Sequence, residues 1–301
     1  MDRASAVREA ISVLPKPIRF QLMSQSREEQ CRWEEIRLRA GRGLFTADSS
    51  GRETRVSAGP QSIMVEEETL RQTLELATRA SLQGLNEKLA SGFLPLPGGH
   101  RLGICGTAAV REGRIISFRN LSSLNLRIAC PVEGAGRDVL PRLMEGGKFQ
   151  STLILAPPGE GKTTLLRDLI RLLGREGIRT GLVDERGEVA ALRGGMPQLD
   201  VGPLADIMDS CSKGEGLTLL LRSMAPQVLA VDEITAPEDA LALTHGANCG
   251  VHVLATAHGG SMEELRRRSL YRPLLEQKVF RRLVTISRRD GKRTYQVERM
   301  T

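Results

Sequence analysis

Residues 151–173 read STLILAPPGEGKTTLLRDLIRLL, and this stretch decides the architecture. It opens on STLILA, an apolar run of strand length and of the kind that a sheet covered on both faces requires. It closes on Leu165, Leu166, Leu169, Leu172 and Leu173, whose spacing predicts a helix with a wide apolar face. Between them lie Pro158, Gly159, Glu160, Gly161, Lys162, Thr163 and Thr164, the expected nucleotide-binding set. A glycine loop joining a strand to a helix gathers backbone N–H groups and the positive helix end at one point, where a phosphate fits. Lys162 then adds a mobile charge at the β- and γ-phosphate oxygens, and the Thr163 hydroxyl ligates Mg²⁺. Ala156 stands where the pattern's first glycine usually sits, a small residue at the position farthest from the phosphates. The expected ligands are ATP and Mg²⁺.

Working downstream, Val228-Leu229-Ala230-Val231-Asp232-Glu233 is an apolar run ending in two acids. Such an ending is common alone, but paired with a phosphate loop it assigns Asp232 to Mg²⁺, through water, and Glu233 to the attacking water. A second acidic segment, Asp184-Glu185-Arg186-Gly187-Glu188, also comes after an apolar run, where ligands of open α/β sheets gather. Glu185 and Glu188 are therefore rival candidates for activating water. GVHVLATAH (250–258) brings Thr256 and His258 to another strand end, in reach of a γ-phosphate, with His252 expected in the core. Arg222, shortly before the Asp-Glu strand, is a further candidate to reach a phosphate, or else a member of a surface ion pair.

Upstream, the character differs. EIRLRAG (35–41) alternates apolar and charged residues as a half-buried strand does, and residues 66–90 carry Leu70, Leu74 and Ala77 at helical spacing. RLGICGTAAV, RIISF and LNLRIA come next as strand candidates. The expectation is a small α+β domain over 1–135 and an α/β domain with a predominantly parallel sheet over 136–301, joined within the Gly- and Pro-containing stretch 131–150. At the far end, Asp290-Gly291 between two alternating runs predicts a hairpin.

The chain has 301 residues, 40% hydrophobic and 26% charged, an ordinary globular balance with room for two domains. No apolar run approaches the ~18–20 residues that span a bilayer, and residues 1–16 have no apolar core of a secretory signal. Cys31, Cys105, Cys130, Cys211 and Cys249 form no CxxC pair, so reduced thiols in a cytoplasmic protein are expected rather than a metal site. Of the net charge of +7, residues 265–301 carry +9 (10 Arg and 2 Lys against 3 acids), leaving −2 for the rest. A basic tail invites RNA, DNA, acidic lipid or intersubunit ion pairs. Aromatics at 3% leave little material for stacking bases, so nucleic acid is the less favoured partner.

Phosphate loop, acidic segment, Asp-Glu strand and histidine strand, in that order, resemble the ATPases of bacterial type II and type IV secretion and pilus systems. That resemblance implies a RecA-like P-loop NTPase core in a hexameric ring, with an N-terminal domain whose arginines can reach a neighbour's nucleotide (here Arg101, Arg119 or Arg127). It also implies that Glu188 rather than Glu233 is the main water-activating residue and that His258 contacts the γ-phosphate. Those ATPases have Gly-Glu where Asp232-Glu233 stands. A longer resemblance, carried by EIRLRAGRGL (35–44), LPGGHRLGICG (96–106), SSLNLRIA (122–129), APPGEGKTTLLRDLIR (156–171), VDERGEVAA (183–191) and MAPQVLAVDEI (224–234), is to the stage III sporulation protein AA family of endospore-formers. It implies an ATPase on the mother-cell side of the forespore membrane, cytoplasmic and peripherally attached, that energises a channel with membrane-embedded partners. The alternative kept beside it is a nucleic-acid-binding or nucleic-acid-translocating ATPase.

Overall fold

Chain segments 3–56, 63–78, 92–111, 113–129, 133–289 and 292–300 are described by a computed structural model, and they fall into two units, residues 1–130 and 131–301. The division lies five residues before the expected 135.

In the first unit, three short helices, α1 (Arg3–Ala10), α2 (Lys16–Met23) and α3 (Arg27–Gln30), precede the sheet. Ser26 starts α3 by accepting from the Glu29 N–H while Glu29 reaches back to Ser26, a reciprocal cap. Strands β1 (Glu35–Arg39), β2 (Phe45–Ala47) and β3 (Glu53–Arg55) lead to helix α4 (Glu67–Thr78), then β4 (Phe93–Pro95), β5 (Arg101–Arg111) and β6 (Arg114–Arg127). They form an antiparallel sheet in the order β3-β2-β1-β6-β5-β4. The alternation in EIRLRAG works as expected: Ile36 and Leu38 are fully buried, while Glu35, Arg37, Arg39 and Glu53 trade ion pairs on the other face. Segments RIISF and LNLRIA lie in one long strand rather than two, bent against β5 by register shifts around Gly106. At Gly106 a Cβ would come within 2.9 Å of the Arg119 carbonyl oxygen, so only glycine lets the strands approach there. Of the predicted helix at 66–90, the described part ends at Thr78 and the remainder lies outside the described residues.

The second unit is built on a strand set in chain order β7 (Thr152–Ala156), β8 (Thr180–Asp184), β9 (Ala205–Asp209), β10 (Val228–Val231), β11 (His252–His258), β12 (Arg282–Arg289) and β13 (Lys292–Arg299). Its sheet order is β9-β8-β10-β11-β7-β12-β13, parallel throughout except for the last pair. The continuous apolar runs are explained by burial on both faces. Ile154 and Ala156 pack beneath α5 (Lys162–Arg175) with Leu165, Leu166, Leu169 and Leu173. Leu153 and Leu155 face the opposite way, toward α6 (Lys213–Ser223) and α7 (Pro237–Asn248). Each fully buried leucine contributes about 1.5–3 kcal/mol, so α5 is held to the sheet by packing more than by helix propensity. Strand β9 is not among the elements the sequence predicts: its Ala-Asp-Ile-Met-Asp run is half-buried at the sheet edge and broken by acids. β12 and β13 pair from Arg282↔Arg299 to Arg289↔Lys292, as a hairpin, and the connecting Asp290-Gly291 lies outside the described residues.

His100, from the first unit's LPGGHR segment, is 1% exposed. Its Nδ1 accepts from the Ala129 N–H at 3.0 Å, while Nε2 stands 3.9 Å from the half-exposed Glu9 carboxylate. Burial, and then Arg3, push its pKa down to about 4. The folded unit thus keeps His100 neutral while the unfolded chain protonates it near pH 6.5. Stability supplied by this residue is complete above pH ~6.5 and is lost as pH falls toward 4, by up to ~1.4 kcal/mol per pH unit. Trp33, the sole tryptophan, is buried in this unit and reports its unfolding. Urea titrations followed by Trp33 fluorescence should show that His100→Gln loses less stability than the wild type between pH 6.5 and 4. Equal slopes would contradict the assignment.

Candidate nucleotide site

Parallel strands all point the same way, so the carboxyl ends of β7, β8, β10 and β11 open on one edge of the sheet. β7 ends at Ala156 and the loop turns into α5 through Gly159 and Gly161, whose φ of 79° and 95° suit glycine. Gly161 caps α5 without a side chain, which leaves the first-turn N–H groups pointing out of the helix end.

Lys162 is 6% exposed. Its ammonium donates to the Ala156 carbonyl at 2.8 Å and the Pro157 carbonyl at 3.0 Å, and meets His258 Nδ1 at 2.7 Å. Burial lowers its pKa, against the opposing pull of Asp232, Glu233 and Glu160. The other ring nitrogen of His258, Nε2, stands 3.2 Å from Glu233 Oε1, so the imidazole bridges Lys162 and Glu233. The register explains why this histidine is present: β11 lies beside β7 with His258 opposite Ala156.

The other wall is Asp232. Its Oδ2 accepts from the Thr163 hydroxyl at 2.6 Å and its Oδ1 from the Thr256 hydroxyl at 2.8 Å. Thr256 in turn accepts from the Glu233 N–H at 2.7 Å, holding Glu233 at a φ of 59° that non-glycine residues rarely adopt. Burial raises the pKa of Asp232; the two hydroxyls oppose this, and Glu188 and Asp184 add repulsion. Among the described residues no three His, Cys, Asp or Glu side chains converge on a point. Thr163 and Asp232 supply one hydroxyl and one carboxylate, the sparse protein share that Mg²⁺ takes when phosphates and water provide the rest.

The acidic segment is positioned by its backbone. Asp184, 2% exposed, accepts from four successive N–H groups: Glu188 and Val189 on Oδ1, Ala190 and Ala191 on Oδ2. From α5, Arg167 donates to the Glu188 and Val189 carbonyls at 2.6 and 2.5 Å. Glu188 is thereby pinned from both sides and acts electrostatically on Asp232. Glu185 turns elsewhere, into an ion pair with the ammonium of Lys213, itself 3% exposed. In this structure that pair occupies its carboxylate. Arg222 lies exposed in the last turn of α6, before the amino end of β10, whereas the phosphate loop of the same chain faces the carboxyl end. Arg186, 3.7 Å from Glu233, is a third contact that the sequence pattern did not reveal.

Two of the omissions had a signal. Arg167 lies four residues after Thr163, on the same face of a predicted helix. Lys213 occupies the first position of a helix, where the dipole disfavours a cation and a nearby carboxylate is called for.

The family described as sporulation stage III, protein AA matches residues 5–297. Stage III sporulation protein AA of Bacillus subtilis (strain 168) is 35% identical over 288 residues, covering 94% of this chain and 92% of that one. Among solved structures, the pilus retraction motor PilT with bound ADP superposes with a TM-score of 0.62 at 15% identity, over 89% of this chain and 80% of that one. The ATPase DotB of Legionella pneumophila gives 0.57 at 16% identity, over 89% and 76%. These likenesses show a RecA-like α/β fold.

Removing Glu185 should strand the Lys213 ammonium. Glu185→Ala is expected to destabilise the chain by about 2 kcal/mol in denaturant unfolding, less than for a fully buried pair because Glu185 is 39% exposed. Adding Lys213→Met should restore most of that loss. A double variant as unstable as Glu185→Ala would contradict the pairing.

Proposed function

The chain belongs to the sporulation stage III, protein AA family, and from that premise we propose that it hydrolyses ATP as a ring-forming ATPase of the secretion type. The work is spent on the channel complex between mother cell and forespore. The observation that carries the reading is the convergence of Lys162, Thr163–Asp232, Glu188 and the Glu233–His258 pair at one sheet edge.

Each residue has a task that its contacts define. Phosphate oxygens entering the loop compete with the Ala156 and Pro157 carbonyls for the Lys162 ammonium, and an anion wins that competition. Bound Mg²⁺, held by Thr163 and through water by Asp232, would offset phosphate charge. Glu188, fixed by its own backbone and standing outside the Lys213 pair, accepts the proton of the attacking water. Glu233 is anchored by His258 and Arg186 and orients that water, while the His258 ring stands where a γ-phosphate would meet it.

The ring is proposed as a homo-oligomer, hexameric as the resemblance implies, with Arg101, Arg119 or Arg127 as the candidates to reach the neighbour's nucleotide. No helix among the described residues is long and apolar enough to cross a membrane. Attachment on the cytoplasmic side through membrane-embedded channel proteins is the location proposed from the family resemblance.

Glu188→Gln is expected to lower turnover at least ~100-fold while leaving ATP affinity within a few-fold, since it removes a base without moving the backbone. Glu233→Gln should cost less. Light scattering of Glu188→Gln in MgATP should show a nucleotide-dependent ring. Wild-type turnover in Glu188→Gln, or a monomer at every nucleotide concentration, would overturn the reading.

A further inference from the structure

The basic stretch after Leu265 is the strongest feature that the proposed function leaves unused, and the structure distributes it unevenly. Arg282 and Arg299 pair with Glu145 at 2.8 and 3.2 Å, and Arg268 donates to the His258 carbonyl at 2.7 Å. Two further arginines come to the phosphate loop. β12 runs parallel to β7 with Thr285 opposite Leu155, so beyond that pair β12 continues alongside the loop as β7 stops. Arg288 lies on this extension, its Nε 3.8 Å from Glu160 Oε2. Arg293, directly opposite Arg288 on β13, places its guanidinium where a side chain at residue 161 would begin: a Cβ there would stand 2.9 Å from its Nε and Cζ.

Energetically this is an odd cluster. Two arginines face each other across a strand pair, which repels. Arg293 also sits against the N-cap of α5, where the helix dipole disfavours a cation, one residue from the Lys162 ammonium. Glu160 is the carboxylate among them, with a buried Oε2 that makes no hydrogen bond. A shared anion removes all three repulsions at once. We propose that Arg293 contacts the phosphates of the bound nucleotide, with Arg288 neutralising Glu160 beside it, so that the hairpin β12–β13 forms a second wall of the site. This rests on the phosphate-loop reading of the proposed function. Part of the basic tail then has its anion in the nucleotide bound to its own chain rather than in RNA, DNA or lipid.

The test is equilibrium binding of ADP, ATP and adenosine to the full chain, in Mg²⁺, for the wild type, Arg293→Ala, Arg293→Lys and Lys162→Ala. Loss of one charge-assisted contact is expected to weaken ADP and ATP about tenfold in Arg293→Ala, with adenosine within twofold. Arg293→Lys keeps the charge and should recover part of the loss. If Arg293→Ala binds ADP as the wild type does while Lys162→Ala does not, the second wall is wrong and the phosphate loop stands. Equal weakening of adenosine and ADP would also overturn it, since the phosphates would then not be the contact. If Lys162→Ala binds ADP unchanged, the phosphate-loop reading fails, and this proposal with it.

Discussion

A buried ammonium with no carboxylate among its hydrogen-bond partners in the described residues governs this site. Lys162 is held by two backbone carbonyls and an imidazole nitrogen, while the carboxylate that acts on it most strongly, Asp232, gives its two oxygens to the Thr163 and Thr256 hydroxyls. Carbonyls satisfy the geometry of an ammonium but only part of its charge, and burial lowers its affinity for its proton. Such a group favours an arriving anion far more than a lysine already paired with a carboxylate does. Much of the surrounding structure keeps the acids near enough to matter and too well occupied to take the lysine. Thr256 ties up Asp232 and fixes the backbone of Glu233, His258 comes between Lys162 and Glu233, and Asp184 is consumed by four N–H groups.

That arrangement depends on one topological fact. β11 lies between the phosphate-loop strand β7 and the Asp-Glu strand β10. Thr256 and His258, on one strand, therefore reach Asp232 on one side and Lys162 on the other. The pairing Ala156↔His258 sets this contact; moving His258 one position along β11 would turn its side chain to the other face of the sheet.

Much of this was legible in the sequence because strong local signals coincided. Continuous apolar runs at 152–156, 180–184, 228–231 and 252–258 state burial on both faces, and Gly159-Glu160-Gly161-Lys162-Thr163 marks the turn from the first of them into a helix. Order and orientation stayed hidden. Nothing local says that β11 lies between β7 and β10, or that the Glu185 side chain pairs with Lys213 while the backbone of Glu188 is held by Asp184 and Arg167. For Arg222, nearness in sequence to the Asp-Glu strand is nearness to its amino end, away from the phosphate loop of the same chain. β9 escaped notice because an edge strand needs only half an apolar pattern, and acids at 206 and 209 break even that. The basic tail read as one patch, whereas the fold spends its arginines on Glu145, Glu264, Glu160 and the loop itself.

The central claim is that MgATP enters between Lys162 and the Thr163–Asp232 contact and reorganises the loop around it. Amide hydrogen exchange on the full chain, with and without MgATP, tests this most directly because it reports where binding acts. The account predicts slowed exchange concentrated in residues 158–164 and 184–191 and at the end of β10, abolished by Lys162→Ala. Protection elsewhere in the chain, or the same protection in Lys162→Ala, would contradict it.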